Sequence, residues 1–177
     1  GWGWNDYYQL GLGETNAHYA PVQIGTDADW VSVAAGEMHS LGLKSNGSLW
    51  AWGDNGQGQL GQGDNLDEFV PAQVGSNTDW IAIAADSHSS MAIKSDGTLW
   101  AWGDNGHGEL GLGDIAPRVS PEEVSGHDGW TAVSLGHGHT VGLKSDGTLW
   151  AWGYNGMGQL GLDDTAERHS PTQVTQP

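Results

Sequence analysis

A period of fifty residues runs through the chain without slippage, and no other feature restricts its fold so tightly. Trp30, Trp80 and Trp130 mark it, as do Lys44, Lys94 and Lys144, and Gly47, Gly97 and Gly147. The string Leu49-Trp50-Ala51-Trp52-Gly53 returns at Leu99–Gly103 and at Leu149–Gly153, and Pro21, Pro71, Pro121 and Pro171 close the units. The N-terminus joins in register: Trp2, Gly3, Asn5, Gln9, Leu10 and Gly11 match Trp52, Gly53, Asn55, Gln59, Leu60 and Gly61. The chain therefore divides into a half repeat, 1–28, and three full ones, 29–78, 79–128 and 129–177.

Within a unit the hydrophobic period is two, which marks strands. Val31 and Val33, Ile81 and Ile83, and Leu41 and Leu43 alternate with polar or small residues; Leu49-Trp50-Ala51-Trp52 puts both indoles on one face. Lys94-Ser95-Asp96-Gly97-Thr98 joins two such runs through a tight turn whose glycine supplies positive φ. A fourth strand is expected just after each proline, at Gln23-Ile24, Gln73-Val74, Glu123-Val124 and Gln173-Val174. Four short antiparallel strands per unit make a β-propeller blade, so the fold class is all-β. The 30 glycines of the 177 residues oppose a helical protein, since Gly in a helix interior costs roughly 1 kcal/mol relative to Ala.

The blocks Ala34-Ala35-Gly36-Glu37-Met38-His39-Ser40-Leu41-Gly42-Leu43-Lys44-Ser45, Gly97-Thr98-Leu99-Trp100-Ala101-Trp102-Gly103-Asp104-Asn105-Gly106 and Gln159-Leu160-Gly161-Leu162 resemble the regulator of chromosome condensation repeat family. The resemblance covers the whole chain. It implies a seven-bladed propeller with about fifty residues per blade. Members include an exchange factor for a nuclear GTPase, a plant ultraviolet-B receptor and bacterial inhibitors of β-lactamase. They share a rigid disc that binds proteins, not a chemistry. One departure stands in the second full unit, where Asp86 replaces the glycine of Gly36 and Gly136 and His88 comes one place earlier than His39 and His139. If that glycine serves a positive-φ turn, a bulge or local reshaping is expected there.

Three and a half units cannot close a ring of seven. The first expectation is that these residues belong to a longer chain. The second is an assembly, ring or filament, in which neighbours cover the ends. A chain stable alone comes third.

Charge excludes one class of partner. Five basic residues stand against 22 acidic ones, for a net charge of −17, which does not suit a nucleic-acid groove. No stretch is apolar enough to span a bilayer, and without cysteine there is no disulfide and no thiolate zinc site. Acidity, with the resemblance to bacterial repeat proteins, points to an extracellular or cell-surface setting.

The motifs that mimic chemistry reduce to architecture. Gly56 to Gly61 fits a dinucleotide fingerprint, as do Gly106 to Gly111 and Gly156 to Gly161, but no helix follows, so turns and no cofactor are expected. His39, His88 and His139 would hold a metal only if blades brought them together; the simpler expectation is that each bonds a turn in its own blade. The acidic loop Asp64-Asn65-Leu66-Asp67-Glu68 has no matching cage in other units, which opposes calcium. Asn46-Gly47-Ser48 fits a glycosylation sequon yet occupies the turn of Asp96-Gly97-Thr98. The 11 tryptophans read as packing between blades, because the ultraviolet-B receptor's chemistry needs arginines that are scarce here. No Ser-His-Asp arrangement can be drawn, and no enzyme is expected.

Positions that vary between units are free of framework duty. One set is Trp4, Asp54, Asp104 and Tyr154, with Tyr7, Gln57, His107 and Met157; the second precedes each proline and includes Tyr19, Phe69, Arg118 and Arg168. Loops on a rigid scaffold build binding surfaces, so one of these two rims is expected to contact a protein partner, with Tyr7, Tyr154 and Phe69 as anchors. The function expected is a non-catalytic protein-interaction scaffold. Its alternatives are a structural subunit of a surface oligomer or filament and a secreted protein inhibitor of an enzyme.

Overall fold

The computed structural model describes residues 1–126 and 128–175. Its strands form three four-stranded antiparallel sheets, each a meander in sequence order. The first blade holds β1 (Trp30–Ala35), β2 (His39–Lys44), β3 (Leu49–Gly53) and β4 (Glu68–Gln73). The second holds β5 (Trp80–Asp86), β6 (Ser89–Lys94), β7 (Leu99–Gly103) and β8 (Arg118–Glu123). The third holds β9 (Trp130–Gly136), β10 (His139–Lys144), β11 (Leu149–Gly153) and β12 (Arg168–Gln173). Repeats and sheets coincide because one unit carries one complete meander and no more.

The turn between the second and third strands follows the sequence reading. Gly97 has φ 83°, and the Asp96 carboxylate accepts the Thr98 N–H at 3.0 Å and its hydroxyl at 2.7 Å. Asn46 accepts the Ser48 N–H and hydroxyl in the same way, which gives the sequon residue a structural duty. The fourth strand departs from expectation. It starts before the proline and runs through it, and Gln23-Ile24 forms no strand. Pro71, Pro121 and Pro171 lie on outer strands paired on one side only, where the missing N–H costs no ladder bond.

The first and second blades each hide one face against the next. Leu41, Leu43, Leu49 and Leu60 of the first blade's unit pack with Trp80, Ala92 and Trp102 of the second. Met91, Ile93, Leu99 and Leu110 pack with Trp130 and Trp152 of the third. The N-terminal half unit has one isolated bridge, Gly3 with His18, and lies on the first blade through the Gln9 carbonyl. The chain's outer faces have no such cover. Leu143 and Leu149 are 41 % and 43 % exposed where Leu43 and Leu49 are 3 % and 0 %, and Trp2 is 66 % exposed where Trp52 is 4 %. Val31, Val33 and Ile81, whose alternation suggested a half-buried face, point outward and are more than half exposed. They lie on the first strands, which pair on one side only.

Candidate functional site: one loop-bearing face

A meander puts its first turn and its third-to-fourth loop at the same end of the blade. Residues 36–38 and 54–67, with their counterparts in the other blades, therefore share one face, and the hairpin turns at 45–48 lie opposite. Each long loop is shaped around a buried asparagine. Asn55 Nδ2 donates to the carbonyls of Asp64 and Leu66 at 3.1 and 3.0 Å, and its Oδ1 accepts the Leu60 N–H at 2.9 Å. Asn105 and Asn155 repeat that set, and Asn5 repeats most of it. Repetition flagged these asparagines in sequence, but not their role as loop templates. Asp64 spends its Oδ1 on the Leu66 N–H at 3.0 Å, so the acidic loop is organised from within.

The two variable sets, separate rims in the sequence reading, belong to one surface. The loop of one unit lies against the fourth strand of the next: Gly13, Gly63 and Gly113 donate to the carbonyls of Phe69, Val119 and His169 at 2.7–2.9 Å. Tyr8 stacks on Phe69 with ring centres 4.2 Å apart, and Trp4 meets Tyr7 edge-on at 5.5 Å. His107 lies 4.8 Å from the Tyr154 ring, and its Nδ1 is 2.8 Å from Glu167. Tyr7, Phe69 and Gln57 are exposed, and Tyr19 and Met157 stand clear at 99 % and 85 % exposure.

Arg118 and Arg168 are differently placed. Arg118 binds Asp114, Glu122 and the Ala116 carbonyl; Arg168 binds Asp164 and the Ala166 carbonyl. They pin their own loops and hold the Asp114 and Asp164 carboxyls below the usual carboxylate range. The three lysines are occupied at the opposite end. Lys44 lies over Trp30 and Trp50 at 4.8 and 4.5 Å, and Lys94 and Lys144 sit likewise between their own indole pairs.

The histidines correct two readings. His39 does not bond a turn of its own blade; its Nε2 meets Ser90 Oγ of the next blade at 2.9 Å. That hydroxyl donates to the Gln59 carbonyl at 2.8 Å and is wholly buried, so the pair is a strut and no substrate reaches it. Burial, and after it the charge of His88, push the His39 imidazole down to about 3. Gly36 is glycine for room, not for φ: a Cβ there would lie 2.2 Å from the His39 ring, and one on Gly136 would lie 2.3 Å from His139. Asp86 fits the second blade because Ser89 stands where the ring would be. The expected bulge is absent: pairing runs unbroken from Ala82–Ile93 to Asp86–Ser89, and Ser87, at φ 42°, makes the turn. Among the described residues no three His, Asp or Glu side chains converge in metal-ligating geometry.

Comparison with known proteins agrees with this architecture. The regulator of chromosome condensation (RCC1) repeat matches residues 1–43, 46–93, 96–143 and 146–177, and a second profile of the same repeat matches 30–59, 80–109 and 130–159. Human WBSCR16 superposes with a TM-score of 0.86 at 25 % identity over 99 % of this chain and 48 % of its own. Yeast RCC1 (Prp20), in its complex with Kap60, superposes with a TM-score of 0.83 at 22 % identity over 98 % and 44 %. The chain thus spans less than half the length of either. No helix is long and apolar enough to cross a membrane among the described residues. With the repeat matched along nearly its whole length and three blades built on it, the chain belongs to the regulator of chromosome condensation repeat family.

Proposed function

We propose that the chain is a non-catalytic scaffold whose loop-bearing face binds a basic protein partner. The observation that carries this reading is the disposition of charge. All five lysines and arginines are engaged within the chain, while Asp54, Asp64, Asp67, Glu68 and Asp104 stand on the loop face beside the exposed aromatic and thioether groups. Such a face attracts cationic surfaces and supplies aromatic anchors for them. Prp20p of Saccharomyces cerevisiae, a fold relative with a TM-score of 0.76 at 22 % identity over 84 % of this chain and 39 % of its own, has described binding to Gsp1p and histones. That makes core histones a fitting basic probe.

The test compares equal charge removal at the two ends of the blades. Asp64→Asn with Asp67→Asn is expected to weaken core-histone binding roughly tenfold, and Tyr7→Ala with Tyr154→Ala to weaken it further. Asp96→Asn with Asp146→Asn, which installs the Asn46 residue of the first blade on the opposite end, is expected to leave binding unchanged. Equal losses from both pairs would reduce the reading to unspecific charge and overturn it.

A second reading, head-to-tail assembly, is favoured by the exposed outer faces of Trp2, Leu143 and Leu149. It expects native mass to rise with concentration and Leu149→Glu to abolish the rise.

A further inference from the structure

The two junctions between complete blades differ at their loop ends. At the first, His39 is 1 % exposed and fills the space between neighbouring turns. At the second, the corresponding residue is Ser89, and a cavity of about 120 Å³ opens there. Asp86, His88, Asp104, His107, Glu109 and His137 are its titratable lining. Three departures from the repeat thus meet in one place: Ser for His, Asp for Gly, and Glu109 for the glutamine of the other units.

The glutamate removes a donor. In the preceding loop Gln59 Nε2 donates to Asp54, whereas Glu109 has no N–H to give Asp104. Glu109 is only 4 % exposed and its Oε2 accepts the His107 backbone N–H at 2.8 Å. Asp104 Oδ1 accepts the Asn105 N–H at 2.9 Å. Side-chain donors reach the main-chain carbonyls of Asp104 and Glu109, but among the described residues none hydrogen-bonds the carboxylate of Asp86, Asp104 or Glu109. Two of the histidines are committed elsewhere, His107 Nδ1 to Glu167 and His137 Nδ1 to Ser87 at 3.0 Å. Carboxylates that face one cavity with backbone N–H groups as their only donors repel one another, and a proton or a cation placed among them relieves that repulsion.

We propose that this cavity is a socket for one organic cation, the guanidinium or ammonium head of a basic side chain on the protein partner. The cavity, about 120 Å³, has room for a small cationic head group. N–H donors match the empty acceptors, and a planar fork can serve two carboxylates at once. Convergence suited to a metal ion is lacking among the described residues. Burial holds the Glu109 carboxyl above its usual range, and the Asp104 charge adds to this, so protons compete with the cation and binding weakens in acid. The inference rests on the reading of the loop face as the partner-binding surface only for the source of the cation.

Methylguanidinium and methylammonium, titrated into the 177-residue chain, test it without any partner. Saturable shifts of the His88 and His137 ring resonances are expected. Glu109→Gln, which restores the residue of the other units, is expected to weaken binding roughly tenfold. So is Asp86→Gly with Ser89→His, which refills the cavity with residues of the first and third blades. Tetramethylammonium, which has no N–H, is expected to bind at least about tenfold more weakly. No saturable shift, equal binding by the Glu109→Gln chain, or equal binding of tetramethylammonium overturns the socket. Probe binding without histone binding leaves the socket standing and breaks the proposed function; histone binding with no probe binding does the reverse.

Discussion

The junction between the first and second blades and the junction between the second and third bury the same indole against the same acceptor. Trp102 Nε1 donates to the Gln59 carbonyl and Trp152 Nε1 to the Glu109 carbonyl, both at 2.8 Å. Ser90 and Thr140 add a hydroxyl to the same two carbonyls. Because the acceptor is main chain, the side chain at that position can change from Gln to Glu with the frame intact. The junctions then diverge at the loop end, where one is plugged by an imidazole and the other is open and acidic. A repeat keeps its frame in the backbone and can vary chemistry beside it.

The largest expected effect tests what the junctions share. Trp102→Ala and Trp152→Ala should each cost about 3–5 kcal/mol in urea unfolding, because each empties a wholly buried site. A marked difference between the two would break the equivalence.

The next effect separates them by pH. His39 has a folded pKa of about 3, below its ordinary 6.5, so on acidification the unfolded chain takes up this proton first. Its contribution is complete above 6.5 and is lost toward 3, by about 1.4 kcal/mol per pH unit. His39→Ala should flatten that slope in urea titrations at successive pH values. Glu109 runs the other way: its folded pKa is raised, so its contribution is complete below 4.5 and is lost as pH rises through the folded value.

Smaller effects sharpen the contrast. Gly36→Ala should cost about 1–3 kcal/mol through overlap with the His39 ring, and should cost much less in a His39→Ser background. A double-mutant cycle by thermal unfolding measures that coupling. Glu109→Gln should stabilise the chain at neutral pH by about 1 kcal/mol, by regaining the bond that Gln59 makes to Asp54, and the gain should vanish in acid.

Much of this was open to reading in one dimension. The recurrence of Trp30, Lys44, Gly47 and the Leu-Trp-Ala-Trp-Gly string announced blades, and the Asp96-Gly97 turn announced its hairpin. The fourth strand was misplaced because its apolar residues are few and it threads a proline on an outer edge. The two variable sets looked like separate rims because about ten residues divide them within a unit, whereas across units Tyr8 touches Phe69 and His107 touches Glu167. Asp86 was read through backbone conformation when the governing fact was the side chain three residues on.

Sequence alone determined the repeating unit and its all-β character, since periodicity and turn chemistry are local properties of the chain. Tertiary structure alone decided which variable residues meet, that His39 props Ser90 across 51 positions, and that three departures from the repeat open on one cavity. Those facts depend on the packing of one blade against another, and no local pattern encodes the distance between residues that only stacking brings together.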